Sequence, residues 1–390
     1  MKSLIKWPGG KSSEIRFIQK IIPDFDRYIE PFLGGGALFF YLEPKKAIIN
    51  DASTKLMMFY SFLKNGSRRR LVEKELHDYV KYWARITTYI KKFGDSLVSL
   101  YEEYRFDRIT EEEFQSQIQR LFKEKIVPFN GLFLESFCHN QKSLLKHIEN
   151  NLIAKLRRIK HKIDLANGFS KEMLMQNIET AFRSGFYIHF REIMNKSKRG
   201  EIQITDAKEV ANYYFVREFC YGSMFRYNSK GDFNIPYGGI AYNTKDFKTK
   251  VTNLFSNSVR RLLENAIIEN MDFEKLLLKH KPTHEDFIFF DPPYDTEFSE
   301  YEENPFTKED QKRLAECIMR LPSKFILIIK ETPFIRSLYE TPEFSKRGVK
   351  IEKVGKKYTY NVRGRNERVT THLIIHNIVE VDATNLNMFF

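Results

Sequence analysis

Phe287-Ile288-Phe289-Phe290 runs without a break into Asp291-Pro292-Pro293-Tyr294. Four large apolar residues in succession read as a strand buried on both faces, the kind found in parallel sheets that helices cover on either side. Proline has no backbone N–H, so two in a row cannot extend a sheet ladder and the strand must stop at Phe290. Its end then lies at the carboxyl edge of the sheet, where open α/β folds hold their ligands.

The rest of the chain fits that frame. Residues 27–33 and 46–51 read as short buried strands with a Gly-rich turn and a helix between them, a β-α-β unit. Further strands are expected near 265–270, at 324–330, and in two final runs over 349–362 and 368–381. Asp272 is placed to cap a helix, and Thr307 with Asp310 brackets the start of another that runs to Arg320. Strands alternating with helices imply the α/β class, a mostly parallel sheet with helices on both faces. From Arg68 to about Asn212 the texture changes to long charged and aromatic helical segments. Residues 221–239 then place aromatic-rich runs on either side of Asn228-Ser229-Lys230-Gly231-Asp232, a β-hairpin signature. The expected organisation is one domain from 1–66 and 265–390, with an inserted region, 67–264, helical over 68–220 and carrying a hairpin at 221–239.

Composition narrows the partners. Sixty-four Lys and Arg against 51 Asp and Glu leave a net charge of +13, which suits a polyanion. No run of about 18 apolar residues is present to span a membrane, and "MKSLIKWPGGKSS" has no apolar signal core, so a cytoplasmic location is expected. Cys138, Cys220 and Cys317 are far apart and read as independent reduced thiols. His372 and His376 would share a strand face without a third ligand nearby, so no metal site is expected.

Several short motifs bear on chemistry. In "EPFLGGGALFF" (30–40) a strand enters Gly34-Gly35-Gly36 and then a helix, which permits close approach of a ligand to the backbone. Asp51 closes the next strand, where a carboxylate can accept from ribose hydroxyls. "KWPGGKSSEI" (6–15) looks like the tail of a phosphate-binding loop, but that loop needs Gly where Ile5 stands and a strand before it. The Asp-Pro-Pro-Tyr ending offers acceptors only. An exocyclic amino group donates two protons, which Asp291 and the Pro292 carbonyl can accept while the Tyr294 ring covers a planar base.

In combination and in this order, "KWPGGK", "EPFLGGGALFF", "FRYNSKGDFNIPYG", "FFDPPYD" and "NERVTTHLIIHN" resemble the Dam-type (D12 class) DNA adenine N6-methyltransferases. The resemblance covers roughly 1–66 and 205–378. It implies a Rossmann-like methyltransferase sheet and S-adenosylmethionine as cofactor. Trp7, Lys11, Phe32, Gly34, Gly36, Asp51 and Asp291 would border that cofactor. Asp291, Pro292 and Tyr294 would form the catalytic pocket for an adenine flipped out of double-stranded DNA. Arg226, Tyr227, Asn228 and Lys230 would meet the DNA, and a cognate restriction endonuclease is a partner the resemblance leaves room for. Gly222 to Arg226 departs from the Asn-Gly-Leu-x-Arg of GATC-reading members, and Gly239 stands where they have Arg, which argues against a GATC target. Rival readings are a cytosine N4-methyltransferase, and a DNA-binding module that keeps the cofactor fold without activity.

Overall fold

The computed structural model describes all residues except 12–13, 65, 127–133, 163–168, 225, 295–299, 302–303, 358–368 and 379–390. The described chain divides into two compact units, Met1–Lys64 with Asn257–Phe390, and Asn65–Ser256. No described helix is long and apolar enough to cross a membrane.

The strands of the first unit are β1 (Arg27–Glu30), β2 (Ala47–Asn50), β3 (Ala266–Glu269), β4 (Asp286–Phe290), β5 (Glu300–Tyr301), β6 (Asn304–Pro305), β7 (Lys324–Lys330), β8 (Lys350–Lys357) and β9 (Val369–His376). β5 and β6 pair only with each other; the remaining seven form one sheet in the order β3-β2-β1-β4-β7-β9-β8. Only β9 runs against its neighbours. The sheet is thus the mostly parallel α/β arrangement expected from the alternating texture.

Burial explains why these strands are so apolar. β2 and β4 are buried at every residue, because helices cover both faces. On one face Ile29, Ile48, Ile288, Leu327 and Ile375 pack with Leu276, Leu314 and Ile318 from helices Phe273–His280 and Lys308–Arg320. On the other, Tyr28 lies 5.8 Å from Phe287 and 6.4 Å from Phe39 of helix Ala37–Leu42. Both covering helices of the first face begin with side-chain caps: Asp272 accepts from Glu274 and Lys275, and Thr307 with Asp310 closes a full capping box. Arg27 and Asp286 pair through two hydrogen bonds of 2.8 and 2.7 Å and tie the amino ends of β1 and β4 together. At the opposite, carboxyl ends of these two strands the sheet order reverses, since β2 and β3 follow β1 on one side while β7 follows β4 on the other. A crevice at such a reversal is where this architecture binds ligands.

The second unit is helical. Gly66–Arg105, Gln141–Lys162, Lys171–Lys198 and Asp206–Phe219 surround an aromatic core that includes Tyr79, Trp83, Phe186, Phe190 and Phe215. A Cβ on Gly185 would stand 2.4 Å from the Ile148 Cα, so only glycine lets those two helices approach so closely. The hairpin expected over 221–239 is not a regular ladder. Its limbs meet at isolated bridges, Cys220 with Tyr237 and Tyr227 with Phe233. A 3-10 turn at Tyr221–Ser223 and the missing N–H of Pro236 interrupt the pairing.

Candidate active site

The carboxyl ends of β1, β2, β3 and β4 line a cavity of about 480 Å³. Its walls include Trp7, Lys11, Phe32, Gly34, Gly36, Asp51, Asp291, Pro292 and Tyr294, so the residues named from sequence for the cofactor and the catalytic pocket line one site.

The β1 loop builds the floor. Gly34 and Gly36 have φ of +50° and +64°, left-handed values that side-chain-bearing residues rarely adopt. The Trp7 ring lies against Gly34, where a Cβ would come within 2.6 Å of the indole. Asp51, at the end of β2, accepts the Gly34 N–H on one carboxylate oxygen and the Ser53 N–H on the other, each at 2.9 Å. Asp51 is also one of the cavity's lining residues and brings a carboxylate to it.

Asn50, just before it, joins three loops. Its Nδ2 donates to the Pro31 carbonyl at 2.9 Å and the Met271 carbonyl at 3.0 Å, while its Oδ1 accepts the Met271 N–H at 2.9 Å. Sequence reasoning missed this residue, although a polar side chain ending the apolar run Ala47-Ile48-Ile49 was a signal. It named Phe32 but missed the aromatic partners that complete the wall, Phe273 at 5.4 Å and Phe306, edge-on, at 5.5 Å.

At the end of β4 the Asp291 carboxylate meets the Lys11 ammonium, which also donates to the Gly9 carbonyl at 2.9 Å. Lys11 is only 2% exposed, whereas Asp291 keeps 21% of its side chain open. From sequence Lys11 is expected to border the cofactor; it lines the cavity, with its ammonium on the Asp291 carboxylate. Burial pushes the Asp291 carboxyl above its usual range, Lys11 pulls it back, Glu14 adds to the rise and His372 opposes it. Tyr294 stands between the Lys11 ammonium, 5.1 Å from its ring centre, and the His372 ring, 5.4 Å away and steeply tilted. His372 Nδ1 is 3.4 Å from Glu14. Gln311, fully buried, donates from Nε2 to the Pro293 carbonyl at 2.8 Å and holds the Asp-Pro-Pro-Tyr turn from behind. Glu30 lies deeper: burial raises its carboxyl well above the usual range, while the Tyr28 hydroxyl, donating at 2.9 Å, opposes the rise.

The other four candidates belong to the second unit. Asn228 shapes its turn, its Oδ1 accepting the N–H groups of Lys230 and Asp232, each at 2.9 Å. Tyr227 packs edge-on against Phe233 at 5.7 Å. Arg226 and Lys230 are exposed, and Arg226 Nε donates to Asn234 Oδ1 at 2.9 Å.

A family model described as D12 class N6 adenine-specific DNA methyltransferase matches residues 7–164 and 131–360, well over half of the chain. The chain belongs to this family. As a D12 class enzyme it is an adenine-specific DNA methyltransferase. Relatives include the Type II methyltransferase M.MjaIII of Methanocaldococcus jannaschii, 27% identical over 383 residues that span 93% of this chain and 94% of the relative. The Type II methyltransferase M.CviBI of Paramecium bursaria Chlorella virus NC1A is 22% identical across 97% of this chain and 100% of its own length. The Retron Ec67 DNA adenine methylase of Escherichia coli is 32% identical over 164 residues, 41% of this chain and 53% of that protein.

Proposed function

We propose that the cavity at the β1–β4 reversal holds S-adenosylmethionine beside an adenine flipped out of double-stranded DNA, and that Asp291 receives the amino group of that adenine. The observation that carries this reading is the meeting of Asp291, Pro292 and Tyr294 with Asp51 and the Gly34–Gly36 turn in one cavity. The residues fit the cofactor: Asp51 has acceptor capacity for ribose hydroxyls, Phe32, Phe273 and Phe306 offer an apolar wall, and Gly34 and Gly36 leave room against the backbone. When bound, S-adenosylmethionine supplies an electrophilic methyl group on a sulfonium.

The chain's own residues do the rest. The N6 lone pair of adenine is delocalised into the ring, so the nitrogen is a weak nucleophile. The Asp291 carboxylate accepts one N6 hydrogen. Gln311 already occupies the Pro293 carbonyl, which leaves the Pro292 carbonyl for the other. Accepting both favours the geometry in which the lone pair turns toward the methyl group. Lys11 opposes the burial that raises the Asp291 carboxyl and so favours its ionised, accepting form. Tyr294 stacks on the base and offsets part of the few kcal/mol that flipping costs. Asp291→Ala is expected to abolish methyl transfer with DNA binding retained; normal turnover in that variant refutes the role.

In this reading the unit Met1–Lys64 with Asn257–Phe390 is catalytic, and Asn65–Ser256 recognises the target through Arg226, Tyr227 and Lys230, with Asn228 shaping the turn. The Type II names of two relatives support a cognate restriction endonuclease as partner. Digesting DNA methylated by the purified enzyme to nucleosides tests the base. N6-methyladenine is expected, and N4-methylcytosine overturns it.

A further inference from the structure

Helix Lys171–Lys198 carries none of the five sequence motifs quoted above, yet its last turns are bonded to the main chain of the limb that returns from the 228–231 turn. Asn195, 8% exposed, holds Phe233 as a neighbouring strand would: its Nδ2 donates to the Phe233 carbonyl at 3.0 Å and its Oδ1 accepts the Phe233 N–H at 2.9 Å. One and two turns earlier, Arg191 Nη1 and the Tyr187 hydroxyl both donate to the Ile235 carbonyl at 2.9 Å. Lys198 Nζ donates to the Gly231 carbonyl at 2.8 Å. The spacings agree physically. Four helical residues rise about 6 Å, and two extended residues advance about 6.6 Å, so Asn195 and Arg191 step in time with Phe233 and Ile235, and Tyr187 adds a second donor at Ile235. Phe233, Ile235 and Tyr237 are accordingly buried, while Asn234, between the first two, is half-buried and accepts from Arg226.

The limbs of the turn share two isolated bridges and a few backbone bonds, among them Asn228 N–H to the Asp232 carbonyl at 2.9 Å and Asn234 N–H to the Arg226 carbonyl at 3.2 Å, and a two-stranded ribbon this short is marginal by itself. A slip of one residue would turn Asn234 inward and remove the acceptor of Arg226. We propose that Asn195, supported by Arg191, is a specificity-determining positioning residue: it sets the register of the 233–235 limb, and so the aim of Arg226, without touching DNA. This rests on residues 226–230 being the DNA-contacting turn. It gives a task to a helix of the inserted region, which the family motifs leave without one.

The test uses the full-length enzyme. Sequencing of DNA methylated by it defines the preferred site, and initial rates with tritiated S-adenosylmethionine are then compared on duplexes carrying that site or the site with one base pair changed. Asn195→Leu is expected to bind S-adenosylmethionine as the wild type does and to lose about tenfold or more of its discrimination between the duplexes. Should Asn195→Leu not fold, Asn195→Asp, which keeps the acceptor and replaces the donor, carries the same expectation. Arg226→Ala should also lose discrimination, and the double variant should be no worse than Arg226→Ala alone, because Asn195 acts through Arg226. Full discrimination in a folded Asn195 variant beside a defective Arg226→Ala overturns the inference alone, as does full multiplication of the two losses in the double variant. Full discrimination in Arg226→Ala overturns the DNA-reading role of the turn and this inference with it.

Discussion

Adding one methyl group at Gly34 should cripple cofactor binding. Two costs act there independently. The backbone sits at φ +50°, where a residue with a Cβ is disfavoured by about 1–2 kcal/mol relative to glycine. The new Cβ would also stand 2.6 Å from Trp7 Cδ1 and 2.9 Å from Trp7 Nε1, against about 3.5–4.0 Å for a comfortable carbon contact. Indole is a rigid plate, so it must withdraw by about 1 Å, or the loop must, and either movement disturbs the cavity wall. The same loop donates the Gly34 N–H to Asp51 at 2.9 Å, so the disturbance reaches the carboxylate proposed above to hold the ribose. Gly34→Ala is therefore expected to weaken S-adenosylmethionine binding at least about tenfold, or about 1.4 kcal/mol, by titration calorimetry. Gly35→Ala is the control: its φ is not positive and its Cβ would lie 3.2 Å from both the Ile5 carbonyl and Trp7 Cβ, so it should do less harm. Wild-type affinity in Gly34→Ala, or a worse defect in Gly35→Ala, refutes the reasoning.

Lys11→Met removes the chief influence that lowers the Asp291 carboxyl, so the acid limb of the kcat profile should move to higher pH; an unmoved limb excludes Lys11 from that task. Glu30 ionises in the folded chain only well above the usual carboxylate range, so the folded state holds a proton that the unfolded state releases. Stability then falls as pH rises through that interval, by at most about 1.4 kcal/mol per pH unit. Glu30→Gln lacks this term, so its melting temperature should gain on the wild type between acid and neutral pH; parallel profiles disprove the assignment. Gln311→Leu keeps the packing but drops the bond to the Pro293 carbonyl, and should cut kcat about tenfold with S-adenosylmethionine affinity unchanged. An equal loss of affinity would show instead that the whole cavity had shifted.

Much of the first unit was legible because its signals are local. The Asp-Pro-Pro ending stops β4 through proline's missing donor, the caps at Asp272 and Thr307 start their helices, and two glycines of 34–36 have the left-handed backbone that glycine alone takes up readily. Asn50 was not legible, since its worth comes from loops at Pro31 and Met271 converging on one amide. The hairpin was legible as an aromatic alternation about a turn, but not that its return limb bonds to Asn195, Arg191 and Tyr187 on a helix as well as to the facing limb.

By itself the sequence determined where strands and helices stop, the parallel character of the sheet, and the set of motifs that marks the family. These depend on backbone stereochemistry and apolar periodicity, which act over a few residues. Tertiary structure alone decided that the Lys11 ammonium meets a carboxylate 280 positions away, that His372 lies beside Tyr294, and that helix Lys171–Lys198 sets the register of the limb at 233–235. Such pairings follow from how elements pack, and no local pattern of residue types records which distant side chain an ammonium or an amide will meet.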